Sequence, residues 1–427
     1  MRIDILDVPI DNLPKKEILD QIKNFLSGSK QNLITTPNPE MLVDSERDWF
    51  FKEIFRRSSL NIADGFGLVL ASWFLYGQKL FRYPGTDLML DICKMAQEEN
   101  KTVFLLGANQ EVIESTAKKL LELFPKIKIV GTNPGLKIKV ICNDDETRVW
   151  HNEFLTGLNF NQEDNQKIID QINQVKPDIL FVAFGHIKQE KWLMSYLSQL
   201  PSIKVAVGVG GAFDYISGTV NRAPQWVRTL GLEWFWRLFS NPIYRTQRVF
   251  KATFTFLNLV WGYKILLKRP LRRGVVGFVV NRSGEFFLAK RTPEPYDCYS
   301  LYTEQWQPPQ GGAEPGESLE DAVTRETKEE TGMDVTVICS SKTPHKYNWS
   351  TESARRLRFK KYRGTEKYIF LLQYNGDGSD IKLEKAELCE YKWINLEELK
   401  HTIHPLRRHS LEILLKDCLN KLPAEGK

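Results

Sequence analysis

Three carboxylates carry the sharpest chemical signal in the chain. Glu326, Glu329 and Glu330 lie in Arg325-Glu326-Thr327-Lys328-Glu329-Glu330-Thr331-Gly332, and their i, i+3, i+4 spacing puts all three on one face of a helix. Carboxylates so close repel one another unless a cation sits among them. An all-oxygen donor set favours Mg²⁺ or Mn²⁺, ions that also bridge substrate phosphates. Pro315-Gly316-Glu317-Ser318 reads as the turn into that helix and Gly332 as its C-cap. Alone, the triplet would be an ordinary solvated acidic face; Gly311 and Glu317 at fixed distances ahead of it make the pattern far more specific. A more scattered set lies in the first half. Asp64, in Asn61-Ile62-Ala63-Asp64-Gly65, is an acid beside glycine that can take a proton from a hydroxyl, although an isolated Ala-Asp-Gly is more often a turn. Gly208-Val209-Gly210-Gly211 suits a tight turn next to a phosphate.

These residues need elements to hold them. Short apolar runs predict strands at Asn32–Thr36, Leu60–Ala63, Thr102–Gly107, Lys128–Gly131, Asp178–Phe184 and Lys204–Gly208. Helical patterns such as Gln110–Leu123 and Asp164–Gln174 alternate with them. That rhythm predicts an α/β domain with a Rossmann-like parallel sheet, covered by helices and binding ligands at the carboxyl ends of its strands. Thr36, Asp64 and Gly208 stand at such ends. Residues 135–165 break the rhythm and read as an irregular insertion. A new pattern starts at Gly274: Val275–Val280, a turn over Arg282-Ser283-Gly284-Glu285, then Phe286–Lys290, a β-hairpin signature. The expected organisation is a first domain over 1–250, a linker over 251–272 and a second domain over 273–427.

Bulk properties are compatible with this. A chain of 427 residues, 42% hydrophobic and 26% charged, can fill two or three cores. The net charge of +6 is too small to imply nucleic-acid binding by itself. Six cysteines form no CxxC pair and no disulfide-style spacing, which points to a reducing cytoplasm. The N-terminal residues, with Asp4 and Asp7, do not read as a signal peptide. No run of apolar residues is long enough to span a bilayer.

The segment from Gly311 to Met333 resembles the Nudix box, and the resemblance extends over about Arg273–Leu415. It implies an α+β Nudix domain (an αβα sandwich) that hydrolyses a nucleoside diphosphate derivative. Glu326, Glu329 and Glu330 would hold Mg²⁺ or Mn²⁺, with Glu330 also catalytic. A further base often comes from outside the box; Glu387, ahead of Trp393, is the first candidate and Glu390 the second. Thr327 stands where the family usually has an aliphatic residue. Trp306-Gln307-Pro308-Pro309-Gln310-Gly311-Gly312 looks like the branch acting on dinucleoside polyphosphates and RNA 5′ ends. Arg355-Arg356-Leu357-Arg358-Phe359-Lys360-Lys361-Tyr362-Arg363 is a dense basic run suited to polyphosphate, or else an exposed basic loop.

In the first half, Thr35-Thr36-Pro37-Asn38-Pro39-Glu40 and the Asp64 segment are followed by Arg82-Tyr83-Pro84-Gly85-Thr86-Asp87. Then come Phe184-Gly185-His186-Ile187-Lys188-Gln189-Glu190-Lys191-Trp192, the Gly208 segment through Asp214, and Arg222-Ala223-Pro224. Together these resemble the WecG/TagA/CpsF glycosyltransferases over about residues 3–250. The resemblance implies transfer of an N-acetylmannosamine-like hexose from a UDP-sugar donor to a polyprenyl-diphosphate-linked acceptor, with no cofactor for this half. Carried over, Asp64 is the catalytic base. Thr36, Asn38, Arg82, Gln189 and Arg222 line the substrate pocket, and Asp214 contacts the nucleotide. Ile187, where the family tends to have proline, and the insertion after Gly135 depart from the pattern.

Residues 219–273 hold eleven Lys or Arg against one acid, Glu233, with Trp226, Trp234, Trp236 and Trp261 among them. Basic and tryptophan-rich chain suits an anionic membrane surface. Ala252–Tyr263, the longest uncharged stretch there, is too short to cross a bilayer, so lying on the surface is the better reading; a buried aromatic helix pair is the plainer one. A bifunctional enzyme, peripheral on the inner face of the cell membrane, is therefore expected. The alternatives are a Nudix pyrophosphohydrolase with a non-catalytic glycan-lipid targeting module, and a basic RNA-binding protein that trims RNA ends. The last lacks any RNA-binding motif.

Overall fold

The computed structural model describes residues 2–140, 158–225, 227, 242–292, 306–348 and 361–421. The chain divides into two compact units, Met1–Lys264 and Ile265–Lys427.

The first unit opens with an antiparallel ribbon, β1 (Arg2–Ile5) and β2 (Val8–Asp11), then α1 (Lys15–Ser27), β3 (Asn32–Thr35), α2 (Pro39–Ser45), α3 (Trp49–Arg57) and β4 (Leu60–Asn61). It continues through α4 (Phe66–Tyr76), α5 (Gly85–Glu98), β5 (Thr102–Gly107), α6 (Gln110–Leu123) and β6 (Lys128–Asn133). Next come β7 (Lys139–Val140), β8 (Leu158–Asn159), α7 (Gln162–Val175), β9 (Ile179–Ala183), α8 (Lys188–Tyr196), β10 (Val205–Gly208), α9 (Ala212–Ser217) and α10 (Pro242–Leu267), whose last three residues fall in the second unit.

Six of these strands form one parallel sheet in the order β4-β3-β10-β9-β5-β6. Val103–Leu106, Ile179–Val182 and Val205–Val207 are buried throughout, as expected of central strands covered on both faces. In α6, Val112, Ile113, Thr116 and Leu120 recur at helical spacing and are the residues that turn inward. β10, last of the six in the chain, is inserted between β3 and β9. The expected α/β domain is thus present, with its centre where an early strand and the late strands meet, the place at which such sheets open a crevice.

Two expectations meet a different structure. Residues 251–267 are not a linker; they complete α10, and Leu271 already begins a strand, so the connection shrinks to residues 268–270. The reason is helical periodicity hidden by the basic composition: Phe256, Val260 and Tyr263 are buried together. The stretch 135–165 is regular at its flanks, where Lys139 pairs with Asn159 and Val140 with Leu158. Residues 141–157 lie outside the described ones. Among the described residues, no helix is long and apolar enough to cross a membrane.

The second unit runs β11 (Leu271–Val280), β12 (Phe286–Arg291), β13 (Trp306–Gln307), β14 (Gln310–Gly312), α11 (Leu319–Thr331), β15 (Val335–Ser340) and β16 (His345–Asn348). Then follow β17 (Gly364–Tyr374), β18 (Leu388–Ile394), α12 (Leu396–Thr402) and α13 (Pro405–Cys418). The sheet is mixed: β11 runs parallel to β17 from Leu271↔Gly364 to Val280↔Gln373 and antiparallel to β12 and β14. Alternation along β11 makes two cores. Val276, Phe278 and Val280 pack with Leu399, Ile403, Leu411 and Leu414 of α12, its following turn and α13, while Val275 and Val279 pack with Ala322 and Val323 of α11. Helices therefore cover both faces of the sheet, the expected αβα sandwich.

Cys339 on β15 and Cys418 at the end of α13 are joined by a disulfide across 79 positions, with Cα atoms 6.1 Å apart. This corrects, for these two residues, the expectation drawn from spacing that the cysteines are not arranged for a disulfide. Spacing along the chain gives no sign of a bridge between a strand and a distant helix.

Candidate active sites

In the first unit Thr36 and Asn38 follow β3, Asp64 follows β4, Gln189 lies in α8 after β9 and Asp214 in α9 after β10, while Arg82 lies between α4 and α5 and Arg222 after α9. Parallel pairing sets those strand ends side by side, with Thr35 opposite Asn61, Val207 opposite Ile34 and Gly208 opposite Val182. The Asp64 and Asn38 loops touch. Asp64 N–H donates to Pro37 O at 3.0 Å, and a Cβ on Gly65 would come within 2.4 Å of Pro39 Cδ, so only glycine lets the two loops close. Arg82 is brought to the same place because Tyr83 N–H donates to Ala63 O at 2.8 Å. Thr36 is buried, with its hydroxyl against Gly85.

The other expected pocket residues are held by protein partners. Asn38 Oδ1 accepts from Met41 N–H at 3.0 Å and caps α2. Arg222 forks onto Asp87 of α5, Nη1 to Oδ1 at 2.6 Å and Nη2 to Oδ2 at 3.0 Å. Gln189 is buried, and its Oε1 accepts from Gly210 N–H at 3.0 Å. Asp214 lies in the first turn of α9 beside Gly211.

In the second unit, α11 carries Glu326, Glu329 and Glu330, entered through the Ser318 cap and closed by Gly332 in the left-handed region (φ 78°). Glu326 Oε1 accepts from Gly312 N–H and Glu330 Oε2 from Gln310 N–H, both at 3.1 Å. A Cβ on Gly311 would lie 1.8 Å from the Glu326 carboxyl carbon, which explains glycine at that position. Arg325 ties the face together, reaching Glu317 at 2.8 Å, Glu326 at 3.1 Å, Glu329 at 3.0 Å and Gly312 O at 3.0 Å. Thr327 satisfies its buried hydroxyl on Val323 O at 2.7 Å.

Glu330 is 6% exposed. Burial pushes its carboxyl up to about 8, and the neighbouring charges of Glu387 and Glu326 add to this against the pull of Gln310 N–H and Lys367. Burial likewise raises Glu326. Glu387 is thus close enough to act on Glu330, whereas Glu390 faces Lys290, 3.7 Å away. Among the described residues no three donor side chains already converge as a metal cage. The donor set nonetheless fits a hard divalent cation: all oxygen, one member buried, and mutually repelling without positive charge.

A model of the Glycosyl transferase WecG/TagA/CpsF family matches residues 3–270. The chain belongs to that family. A NUDIX domain model matches residues 270–414. Both matches indicate enzyme activity. Two relatives of the first unit share the name N-acetylglucosaminyldiphosphoundecaprenol N-acetyl-beta-D-mannosaminyltransferase. The one from Bacillus subtilis (strain 168) is 30% identical over 239 residues, covering 56% of this chain and 83% of the relative. The one from Staphylococcus aureus (strain NCTC 8325 / PS 47) is 32% identical over 238 residues, covering 55% and 84%. The structure of a NUDIX hydrolase from Nitrosomonas europaea aligns at 19% identity over 37% of this chain and 99% of that one, with a TM-score of 0.27, too low to weigh.

Within this WecG/TagA/CpsF unit, Ile187 stands at φ 70°, ψ −54°, immediately before α8. Proline, whose ring holds φ near −65°, could not take that backbone. Sequence reasoning also passed over the struts around the site. His186 Nε2 pairs with Asp44 Oδ2 at 3.0 Å and Lys191 Nζ with Asp48 Oδ2 at 2.5 Å, pinning α8 to α2 and to the start of α3. In the NUDIX unit it missed Lys367, Tyr347 and Arg407. Burial pushes the Lys367 ammonium down to about 8. Burial would raise Tyr347, but Lys367 and Arg407 outweigh it and bring the phenol to about 8. Lys367 donates to Gln310 Oε1, beside Glu330. No spacing signal links β16, β17 and α13; only the fold does. Most of the basic run from Arg355, residues 355–360, lies outside the described residues.

Proposed function

We propose that the chain is a bifunctional enzyme of cell-surface polysaccharide synthesis. Its first unit transfers an N-acetylmannosamine-like hexose from a UDP-sugar to a polyprenyl-diphosphate-linked acceptor. Its second unit hydrolyses a nucleoside diphosphate derivative. The observation that carries the first activity is the meeting of Thr36 and Asp64 at adjoining strand ends, with the Arg82 segment bonded beside them, in a family whose named relatives are mannosaminyltransferases. Asp64 takes the proton of the acceptor hydroxyl as that oxygen attacks the anomeric carbon. Attack and departure on opposite faces invert the linkage. Gln189 and the Gly208–Gly211 turn receive the donor, and Arg222, oriented by Asp87, borders it.

In the second unit Glu326, Glu329 and Glu330 would hold Mg²⁺ or Mn²⁺, an ion that neutralises phosphate and acidifies water when bound. Glu387 accepts the proton of the attacking water, while Lys367 and Arg407 bind phosphate oxygens. Dinucleoside polyphosphates and 5′-phosphorylated RNA are the substrate classes to try.

The protein is further proposed to work peripherally on the cytoplasmic face of the membrane. α4 and α10 support this. Phe256, Val260 and Tyr263 of α10 turn inward, whereas Trp73 (68% exposed), Phe254 and Trp261 (62% each) turn out. Trp261 stacks on Phe74 at 5.7 Å, and Lys264 lies over the Phe74 ring. Exposed aromatics on a basic helix suit a lipid interface.

Transfer from UDP-N-acetylmannosamine to a short polyprenyl-diphosphate-linked N-acetylglucosamine, with and without chelator, tests the reading. Product in both arms is expected, with chelator abolishing only hydrolysis. Hydrolysis without transfer from any UDP-sugar would transfer the weight to a Nudix enzyme with a targeting module.

A further inference from the structure

The transferase unit buries a carboxyl that the chemistry above does not use. Glu190, in the first turn of α8, is 1% exposed. Its Oε1 accepts from Gln189 Nε2 at 2.7 Å, and its Oε2 is buried with no hydrogen-bond partner among the described residues. Burial raises the carboxyl to about 7, against the opposing pull of Gln189, of backbone N–H groups at the helix start and of His186. Burying a carboxyl with half its hydrogen-bonding capacity unmet is costly, and an apolar side chain would avoid that cost.

What the carboxyl does is visible one residue away. Gln189 is gripped at both ends of its amide, the oxygen by Gly210 N–H at 3.0 Å and the nitrogen by Glu190. Without the carboxyl the amide would be held at one end only and could rotate. The pair also forms the surface on which β10 ends. A Cβ on Gly208 would come within 2.7 Å of Gln189 Nε2 and 2.9 Å of Glu190 Oε1, so the backbone at 208 lies directly on them. Gly210 then turns back at φ 49°. The glycine turn at the carboxyl end of the central strand takes its shape from this amide–carboxyl stack.

We propose that Glu190 is a positioning residue of the transferase, locking the Gln189 amide so that the Gly208–Gly211 turn is preformed for the donor's diphosphate. The proposal rests on the transferase reading given above. Glycine-rich turns bind phosphate through backbone N–H groups held in place beforehand, and small displacements of such groups are expensive. Glu190 touches neither substrate in this scheme; it acts through Gln189.

The test uses the full chain and three proteins: wild type, Glu190→Gln and Glu190→Leu. In Glu190→Gln the new amide oxygen accepts the same hydrogen bond, so the donor kcat/KM should stay within about threefold, the loss of a charge-independent contact being avoided. In Glu190→Leu it should fall by about 100-fold, as for a misplaced positioning group. The loss should appear in the KM for UDP-sugar, with the KM for the lipid-linked acceptor unchanged. Melting of Glu190→Leu should stay close to wild type, since relief of the half-satisfied carboxyl offsets the loss of the acceptor for the Gln189 amide. Amide exchange over residues 205–215 should quicken in Glu190→Leu and not in Glu190→Gln. Wild-type transfer with unaltered donor kinetics in Glu190→Leu overturns this inference alone, as does equal loss in both variants. No transfer by the wild type overturns the transferase reading, and the inference with it.

Discussion

The two candidate sites are built in opposite ways. In the Nudix unit, Glu326, Glu329 and Glu330 lie within one turn and a half of α11, and Gly311, Glu317 and Arg325 all bond to or pack on that face. In the transferase unit, Thr36 and Asp64 follow the ends of β3 and β4, Gln189 and Asp214 lie in the helices after β9 and β10, and Arg82 lies between α4 and α5; the register of β4, β3, β10 and β9 sets the strand ends side by side. A site on one helix tolerates change elsewhere but gathers several acids in one place, and burial raises Glu330 among them. A site spread over strand ends divides the work among struts such as Lys191–Asp48 and Arg222–Asp87.

The largest contrast should come from Glu330→Gln. Mg²⁺-dependent hydrolysis is expected to fall by roughly 1,000-fold or more, since a charged ligand and the local field that acidifies water are both lost. Transfer should be untouched. Hydrolysis at the wild-type rate would make Glu330 a mere structural acid.

Asp64→Asn keeps the shape of the side chain but cannot take a proton. UDP-sugar binding should survive while turnover drops by about 100-fold or more, with hydrolysis unchanged. Equal turnover in variant and wild type would remove Asp64 from the mechanism and with it the claim that the spread-out site is catalytic.

Reversing Arg245, Arg248 and Lys251 to Glu should release the protein from anionic vesicles. Each basic group near such a surface contributes about 1 kcal/mol, and raised salt should imitate the change. Cosedimentation that persists in the triple variant would assign α10 a purely structural role.

Stability should respond to pH through the buried acid of the Nudix site. The raised Glu330 value means that the native state favours the neutral carboxyl, whereas the unfolded chain ionises near the ordinary glutamate value of 4.5. In chelated protein this contribution is complete below that value and is lost as pH rises through about 8, at up to about 1.4 kcal/mol per pH unit. Melting temperatures measured between pH 5 and 8 should fall less steeply in Glu330→Gln. Parallel slopes would mean that Glu330 is less buried in solution.

The smallest effect is assigned to Asn38. Its Oδ1 caps α2, so Asn38→Ala should cost about 1 kcal/mol of stability, and Asn38→Asp, which can cap equally well, should restore melting. If activity recovers with melting, Asn38 serves the loop; if melting recovers and activity does not, its amide touches substrate.

The fold class, most strand positions and the helix Gln110–Leu123 were legible because burial on both faces and 3.6-residue periodicity leave their marks within a few consecutive residues. The acidic helix was legible for the same reason: its ligands, cap and turn are neighbours in the chain. α10 was less so. Its inward residues are spaced helically, but basic and aromatic residues between them made 251–272 look like a connection. The Cys339–Cys418 bridge, the Lys367–Tyr347 pair, the bidentate grip of Arg222 on Asp87 and the Glu190–Gln189–Gly210 stack left no trace in spacing. Each depends on strands or helices that meet only after the sheets have formed, and on burial, which turns an ordinary carboxyl such as Glu190 or Glu330 into one that resists ionisation. Local sequence determines which groups are present and which elements carry them; tertiary packing determines which of them share a dry, crowded space and therefore what chemistry they can do.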